Sequence, residues 1–213
     1  MKILNKKYYT SPSDLNNFVG CKYLIQNEIK FLNNKIKKNE ETMDQKLWKE
    51  FGLKHEKKHS KLLKDKYKKN ISINQDLDEK ERNKKTIEAI KSGYDLIYHA
   101  YLIDGDFRGE ADFLIKTKVP SNLGDFSYEV YDTKVSRKPR PRHIYQITAY
   151  SFMLSKIQGI VPGSMYLIDG SDIHHKYKTK EFLDFYLFTK NNFDKYIKNI
   201  SKEKVYPEKC SHC

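Results

Sequence analysis

The chain of 213 residues has no stretch approaching the roughly 18 uninterrupted apolar residues that a membrane-spanning helix needs. Its start, MKILNKKYYTSPSD, lacks the apolar run of a secretory leader, so the expectation is a cytoplasmic protein without a membrane partner. Cysteine is scarce and odd in number: three residues do not make a disulfide scaffold, and metal ligation is the better use for them. Arginine is scarce too, with only Arg82, Arg108, Arg137, Arg140 and Arg142 among 41 basic residues. There are no tandem repeats. What the chain does have is 16 Tyr and 11 Phe, enough large apolar surface for a core despite a mean hydropathy of −0.81. It also carries a net charge of +13, which favours a polyanionic partner, although scattered lysines on solvated faces would give the same total.

The apolar spacing predicts helices over 12–38, 44–68 and 78–92, the first opened by the cap-like Ser11-Pro12-Ser13-Asp14. In the second, Leu47, Trp48, Phe51, Leu62 and Leu63 form the apolar side, and Trp48 is expected in the core. The period then changes to two. Strands are expected over 96–103, 107–116 and 128–135, followed by a basic loop, a helix over 142–158, a strand pair over 165–169 and 173–178, and a last helix over 180–202. This order predicts a single α/β domain, a mixed sheet flanked by helices, with a helical insertion about 30–93, a core about 94–178, and a C-terminal helix and Cys knuckle over 180–213.

The chemistry concentrates in Asp112 and, twenty residues on, Asp132-Thr133-Lys134. Strand alternation points Asp132 and Lys134 the same way and Thr133 the other. If the two strands pair, two carboxylates and an ammonium meet at one end of a sheet. Carboxylates bind hard cations such as Mg²⁺ or Mn²⁺, and a lysine can orient a water or stabilise developing charge. The plain alternative is a cross-strand salt bridge on a wet face. Gln146 and Tyr150 stripe the following helix among Ile144, Ile147, Ala149 and Met153, and polar atoms on a core-facing helix need partners. Arg137, Lys138, Arg140 and Arg142, beside Lys134, would grip a nucleic-acid backbone. Glu110 shares a strand face with Asp112, and a solvated position is expected for it. His174 and His175 join no evident constellation.

These residues resemble the motifs of RecB-like nucleases of the PD-(D/E)xK superfamily, of the iron–sulfur kind found among CRISPR-associated nucleases and helicase-fused nucleases. The likeness is carried by Gly52…His55, Gly109-Glu110-Ala111-Asp112, Asp132-Thr133-Lys134 and Gln146-x-x-x-Tyr150, in that order, over nearly the whole chain. It implies a restriction-endonuclease-like fold and Mg²⁺- or Mn²⁺-dependent hydrolysis of DNA, on single strands or ends, in repair or processing. His55, Asp112, Asp132 and the carbonyl of Thr133 would be the metal ligands, Lys134 the catalytic lysine, and Gln146 and Tyr150 its orienting partners. Asp132 stands where many relatives have Glu. The resemblance also implies a [4Fe–4S] cluster on Cys21, Cys210 and Cys213, with the fourth ligand missing from this chain. The expectation is then an N-terminal fragment of a longer protein, with a helicase downstream or in trans. A zinc site and three unrelated thiols are the alternatives for these cysteines.

Two other readings remain. A non-catalytic nucleic-acid-binding module would keep the fold and the basic surface. A zinc metallopeptidase would use His55-Glu56-Lys57-Lys58-His59, which fits H-E-x-x-H, although lysines crowd that helix and no third ligand follows at the usual spacing.

Overall fold

The computed structural model describes residues 1–5, 7–200 and 205–207. A short antiparallel hairpin, β1 (Lys2–Leu4) and β2 (Lys7–Tyr9), precedes α1 (Pro12–Gly20), α2 (Lys22–Leu32) and α3 (Met43–Lys66). Then come β3 (Asn70–Ser72), α4 (Glu79–Lys91), β4 (Leu96–Asp104), β5 (Phe107–Thr117), β6 (Ser127–Thr133) and α5 (Pro141–Gln158). The chain continues through β7 (Ser164–Ile168), β8 (His174–Lys178) and α6 (Lys180–Lys198). Strands β3 to β8 form one six-stranded sheet in sequence order. The β4–β5–β6 meander and the β7–β8 pair are antiparallel, whereas β3–β4 and β6–β7 are parallel, the latter joined through α5. The chain is therefore mixed α/β, a six-stranded mixed sheet flanked by helices.

The two faces of the sheet are packed differently. On one, α1, α4, α5 and α6 bury Leu15, Phe18, Ile90, Ile147, Leu154 and Phe193 against Ile97, Leu102, Leu114 and Val130. On the other, α3 contributes Leu63 to a small cluster with Leu96, Tyr98, Phe113 and Ile115. The buried Gln158 ties the end of α5 to β6. Its carbonyl accepts the Tyr128 N–H at 2.9 Å, and its amide donates to the Tyr128 carbonyl at 3.3 Å. Gly159, at φ 75°, then ends the helix in the left-handed conformation that glycine adopts freely.

The structure departs from expectation at several elements. The helix expected over 12–38 is two, broken at Cys21, whose backbone is extended (φ −168°, ψ 113°) and whose N–H closes α1 on the Asn17 carbonyl at 2.8 Å. Residues 33–38 lie beyond α2. Trp48 is not in the core: it is 61% exposed, and Leu47, Phe51 and Leu62 are exposed with it. The reason lies in where α3 touches the sheet. Contact is made near its C-terminal end, where His59, Ser60 and Leu63 are buried, while the N-terminal half stands in solvent. The strand expected over 128–135 ends at Thr133, which leaves Lys134 just past its end.

Candidate active site

The ladder β4–β5 pairs Tyr98 with Phe113 and Ala100 with Ala111, and skips His99 and Asp112 between them. The ladder β5–β6 stops at Phe113 and Tyr131; one step further in that register would set Asp112 opposite Asp132. His99, Asp112 and Asp132 thus lie in one row across three strands, at the row where backbone pairing lapses. Two features fill the gap. His99 takes a left-handed backbone, φ 58°, and its ring comes to 3.7 Å from that of Tyr98, centroid to centroid. Asp112 substitutes a side chain for the missing ladder: its Oδ2 accepts both the N–H and the hydroxyl of Thr133, each at 2.7 Å. Thr133, the last residue of β6, thus holds Asp112 through both its N–H and its hydroxyl.

Asp132 is fully buried. Its Oδ2 pairs with the Lys134 ammonium, and its Oδ1 has no hydrogen-bond partner. Burial, the Asp112 charge and the Glu56 charge push Asp132 up to about 7 against the opposing pull of Lys134. Glu56, from α3, is the third acid. Burial and the Asp112 charge push it up to about 7 as well, although the Tyr98 hydroxyl donates to it at 2.8 Å. Burial works against the Lys134 ammonium, yet the carboxylates around it raise its pKa and keep it charged. Three carboxylates against one ammonium would leave two negative charges in excess, which a divalent cation would neutralise. The unpartnered Asp132 Oδ1 is a ligand atom suited to it.

From the other side, Gln146 donates to the Tyr150 hydroxyl at 3.0 Å. Burial and the Asp132 charge raise the pKa of Tyr150, which holds it as a neutral phenol. The ring lies so close to Gly109 that a Cβ there would be 2.6 Å from Tyr150 Cε1 and 3.1 Å from Pro12 Cδ. The basic loop is anchored to the β7–β8 turn by Gly170, whose N–H donates to the Ser136 carbonyl at 3.0 Å; a Cβ at Gly170 would be 2.2 Å from the Val135 carbonyl oxygen. On this loop and the first turn of α5, Arg137, Lys138, Arg140 and Arg142 are exposed, and none makes an ion pair with a described residue. His143 beside them is pushed down to about 4 by burial and by Lys134, Arg142 and Arg140, so it is neutral near pH 7. It accepts the Arg140 N–H at 3.3 Å.

His55, expected beside Asp112 and Asp132, is grouped elsewhere. Among the described residues, only His55, His59 and Asp172 bring three ligand atoms within 4.8 Å of one another. Glu110 is half-buried rather than solvated: it receives His99 Nδ1 and Gln75 Nε2, each at 2.7 Å, and pairs with Arg82. Sequence reasoning missed Tyr98 and His99, and it cast Glu56 in another role. A signal was present, since His99 is the one ionisable residue inside Leu96-Ile-Tyr-His-Ala-Tyr-Leu102 apart from its tyrosines, and a polar group in so apolar a strand needs partners. Asp172 carried no signal, because its partner lies more than a hundred residues away.

Cys21 is buried; Cys210 and Cys213, with the expected knuckle, lie outside the described residues. No helix among the described residues is long and apolar enough to cross a membrane. Compared with known protein families and with curated proteins, the chain matches none.

Proposed function

We propose that the protein is a Mg²⁺- or Mn²⁺-dependent nuclease of the restriction-endonuclease-like fold that hydrolyses phosphodiester bonds of DNA, on single strands or ends. The observation that carries this reading is Asp132: buried, with one oxygen on Lys134 and the other without a partner, and under the charge of Asp112 and Glu56. The order three strands, α5, then a strand parallel to β6 supports the fold assignment.

Asp112 and Asp132 would hold the cation, with the Glu56 charge beside them, and the cation would supply charge neutralisation at the phosphate and a bound water of lowered pKa. The chain's own groups do the rest. Lys134, kept protonated by its carboxylates, orients the attacking water or stabilises the charge that develops on the phosphate. Thr133 fixes Asp112 through two hydrogen bonds, so that carboxylate does not have to be ordered during the reaction. Tyr150, with Gln146 behind it, is a neutral donor facing the same carboxylates. The exposed Arg137, Lys138, Arg140 and Arg142 hold the backbone without reading bases. Glu56 accepts the Tyr98 hydroxyl and is under the Asp112 charge, which sets it with the carboxylate cluster and supports the nuclease over the H-E-x-x-H peptidase.

The same reading keeps the [4Fe–4S] cluster. The Tyr196 hydroxyl donates to the Lys22 carbonyl at 3.3 Å, which brings the last turn of α6, leading to Cys210 and Cys213, beside Cys21. Cytoplasmic location and a helicase partner stand as parts of this proposal. The test is cleavage of end-labelled single-stranded DNA with Mn²⁺ by the wild type, Asp112→Ala and Lys134→Ala. Cleavage by the wild type alone supports the site. Equal cleavage by all three rules it out, and metal-independent binding without cleavage favours a non-catalytic module.

A further inference from the structure

We infer that His55, His59 and Asp172 form a second metal site, for zinc or a similar borderline divalent ion, that clamps α3 to the turn between β7 and β8. The site stands apart from the carboxylate cluster in its chemistry and does not depend on the nuclease reading. His55 and His59 are four residues apart on one helix face, their rings 4.6 Å apart between centroids. From across the molecule Asp172 Oδ1 comes to 2.9 Å from His59 Nε2 and 3.9 Å from His55 Nδ1. One ligand atom from each residue falls within 4.8 Å of the other two, close enough for a single ion to draw all three in.

Two further observations point to an ion. His55 is 90% buried in its side chain, and its Nε2 is buried without a hydrogen-bond partner. The Asp172 carboxylate is presented by a turn that is fixed independently of it. Asp169 accepts the N–H groups of Ser171 and Ile173 at 2.8 and 3.0 Å and pairs with His175 at 2.7 Å, and Asp172 itself sits at φ 63°.

Two imidazoles and one carboxylate suit zinc and its first-row neighbours and leave positions open; Mg²⁺ and Ca²⁺ prefer oxygen throughout. His174, whose ring centroid is 6.3 Å from that of His59, stands beside the cluster as the nearest further imidazole. Lys58 pairs with Asp172 from solvent, and its long exposed side chain can leave at small cost. The clamp falls where α3 needs one, between its packed C-terminal end and its solvent-exposed half, and His55 directly precedes Glu56. Occupancy would therefore steady the helical turn that delivers the third carboxylate.

The test is a Co²⁺ titration of the chelator-stripped full chain carrying Cys210→Ser and Cys213→Ser, so that terminal thiols cannot take the ion. With millimolar Mg²⁺ present to fill the carboxylate cluster, visible Co²⁺ absorption should saturate at one ion per chain and be displaced by Zn²⁺. His59→Ala and Asp172→Asn should each weaken binding at least about tenfold. Asp172 is exposed, so Asp172→Asn keeps the test meaningful if His59→Ala fails to fold. Asp112→Asn and Asp132→Asn should leave Co²⁺ binding unchanged even if they abolish cleavage. Equal affinity in Asp172→Asn and the parent, or a loss in Asp112→Asn, would overturn the assignment.

Discussion

Asp112 accepts two hydrogen bonds from Thr133 where the β5–β6 ladder stops, so a catalytic candidate also does the structural work of a missing strand pair. The two roles separate by substitution. Asp112→Ala leaves the Thr133 N–H without an acceptor and should cost about 1–3 kcal/mol in urea unfolding. Asp112→Asn keeps a carbonyl in place and should cost less, while losing the charge that a cation needs. A smaller loss for Ala than for Asn would contradict this division.

The pH dependence of the carboxylates has a definite sign. Free Asp and Glu ionise near pH 4, whereas Asp132 and Glu56 in the fold hold protons to about 7. Their ionisation penalty is absent below about pH 4 and complete above about pH 7, so in metal-free protein they cost stability as pH rises through that window. His99 and His143, both pushed down to about 4, act oppositely and cost stability as pH falls. A difference measurement isolates Asp132. Relative to the metal-free wild type, Asp132→Asn should gain roughly 2–4 kcal/mol between pH 4 and 8. A flat difference would show that Asp132 ionises normally.

Gly109 is required by the Tyr150 ring. Gly109→Ala places a methyl group 2.6 Å from Tyr150 Cε1 and should destabilise the fold by about 1–3 kcal/mol. Gly52→Ala on α3, where a Cβ meets nothing within 4 Å, is the control and should not destabilise.

The basic loop predicts a salt signature. With single-stranded DNA, replacing Arg137, Lys138, Arg140 and Arg142 by Ala should lower the slope of log affinity against log salt by about 0.7 for each phosphate that is no longer neutralised. An unchanged slope would place the DNA elsewhere.

Much of this architecture was legible because it depends on local pattern. The change from helical to alternating period near residue 94 and the Asp-Gly turn at 104–106 marked the antiparallel meander. Pro141 and Gly159 bracketed α5 at both ends. The pairing of β5 with β6 was enough to bring Asp112 toward Asp132. Less legible was whatever depends on what an element packs against. The apolar side of α3 reads as a buried stripe, yet the sheet meets only its C-terminal end, so Trp48 and Phe51 remain in solvent. The backbone inversion at His99 and the reach of Asp172 to His59 join residues with no periodic relation, and sequence spacing is silent on both.

The most direct measurement is the single-turnover rate of Mn²⁺-dependent cleavage of single-stranded DNA, with binding measured in parallel, for the wild type and Asp132→Asn. The account predicts comparable DNA binding and a cleavage rate reduced by at least about a hundredfold in the variant. Cleavage at the wild-type rate by Asp132→Asn would contradict it.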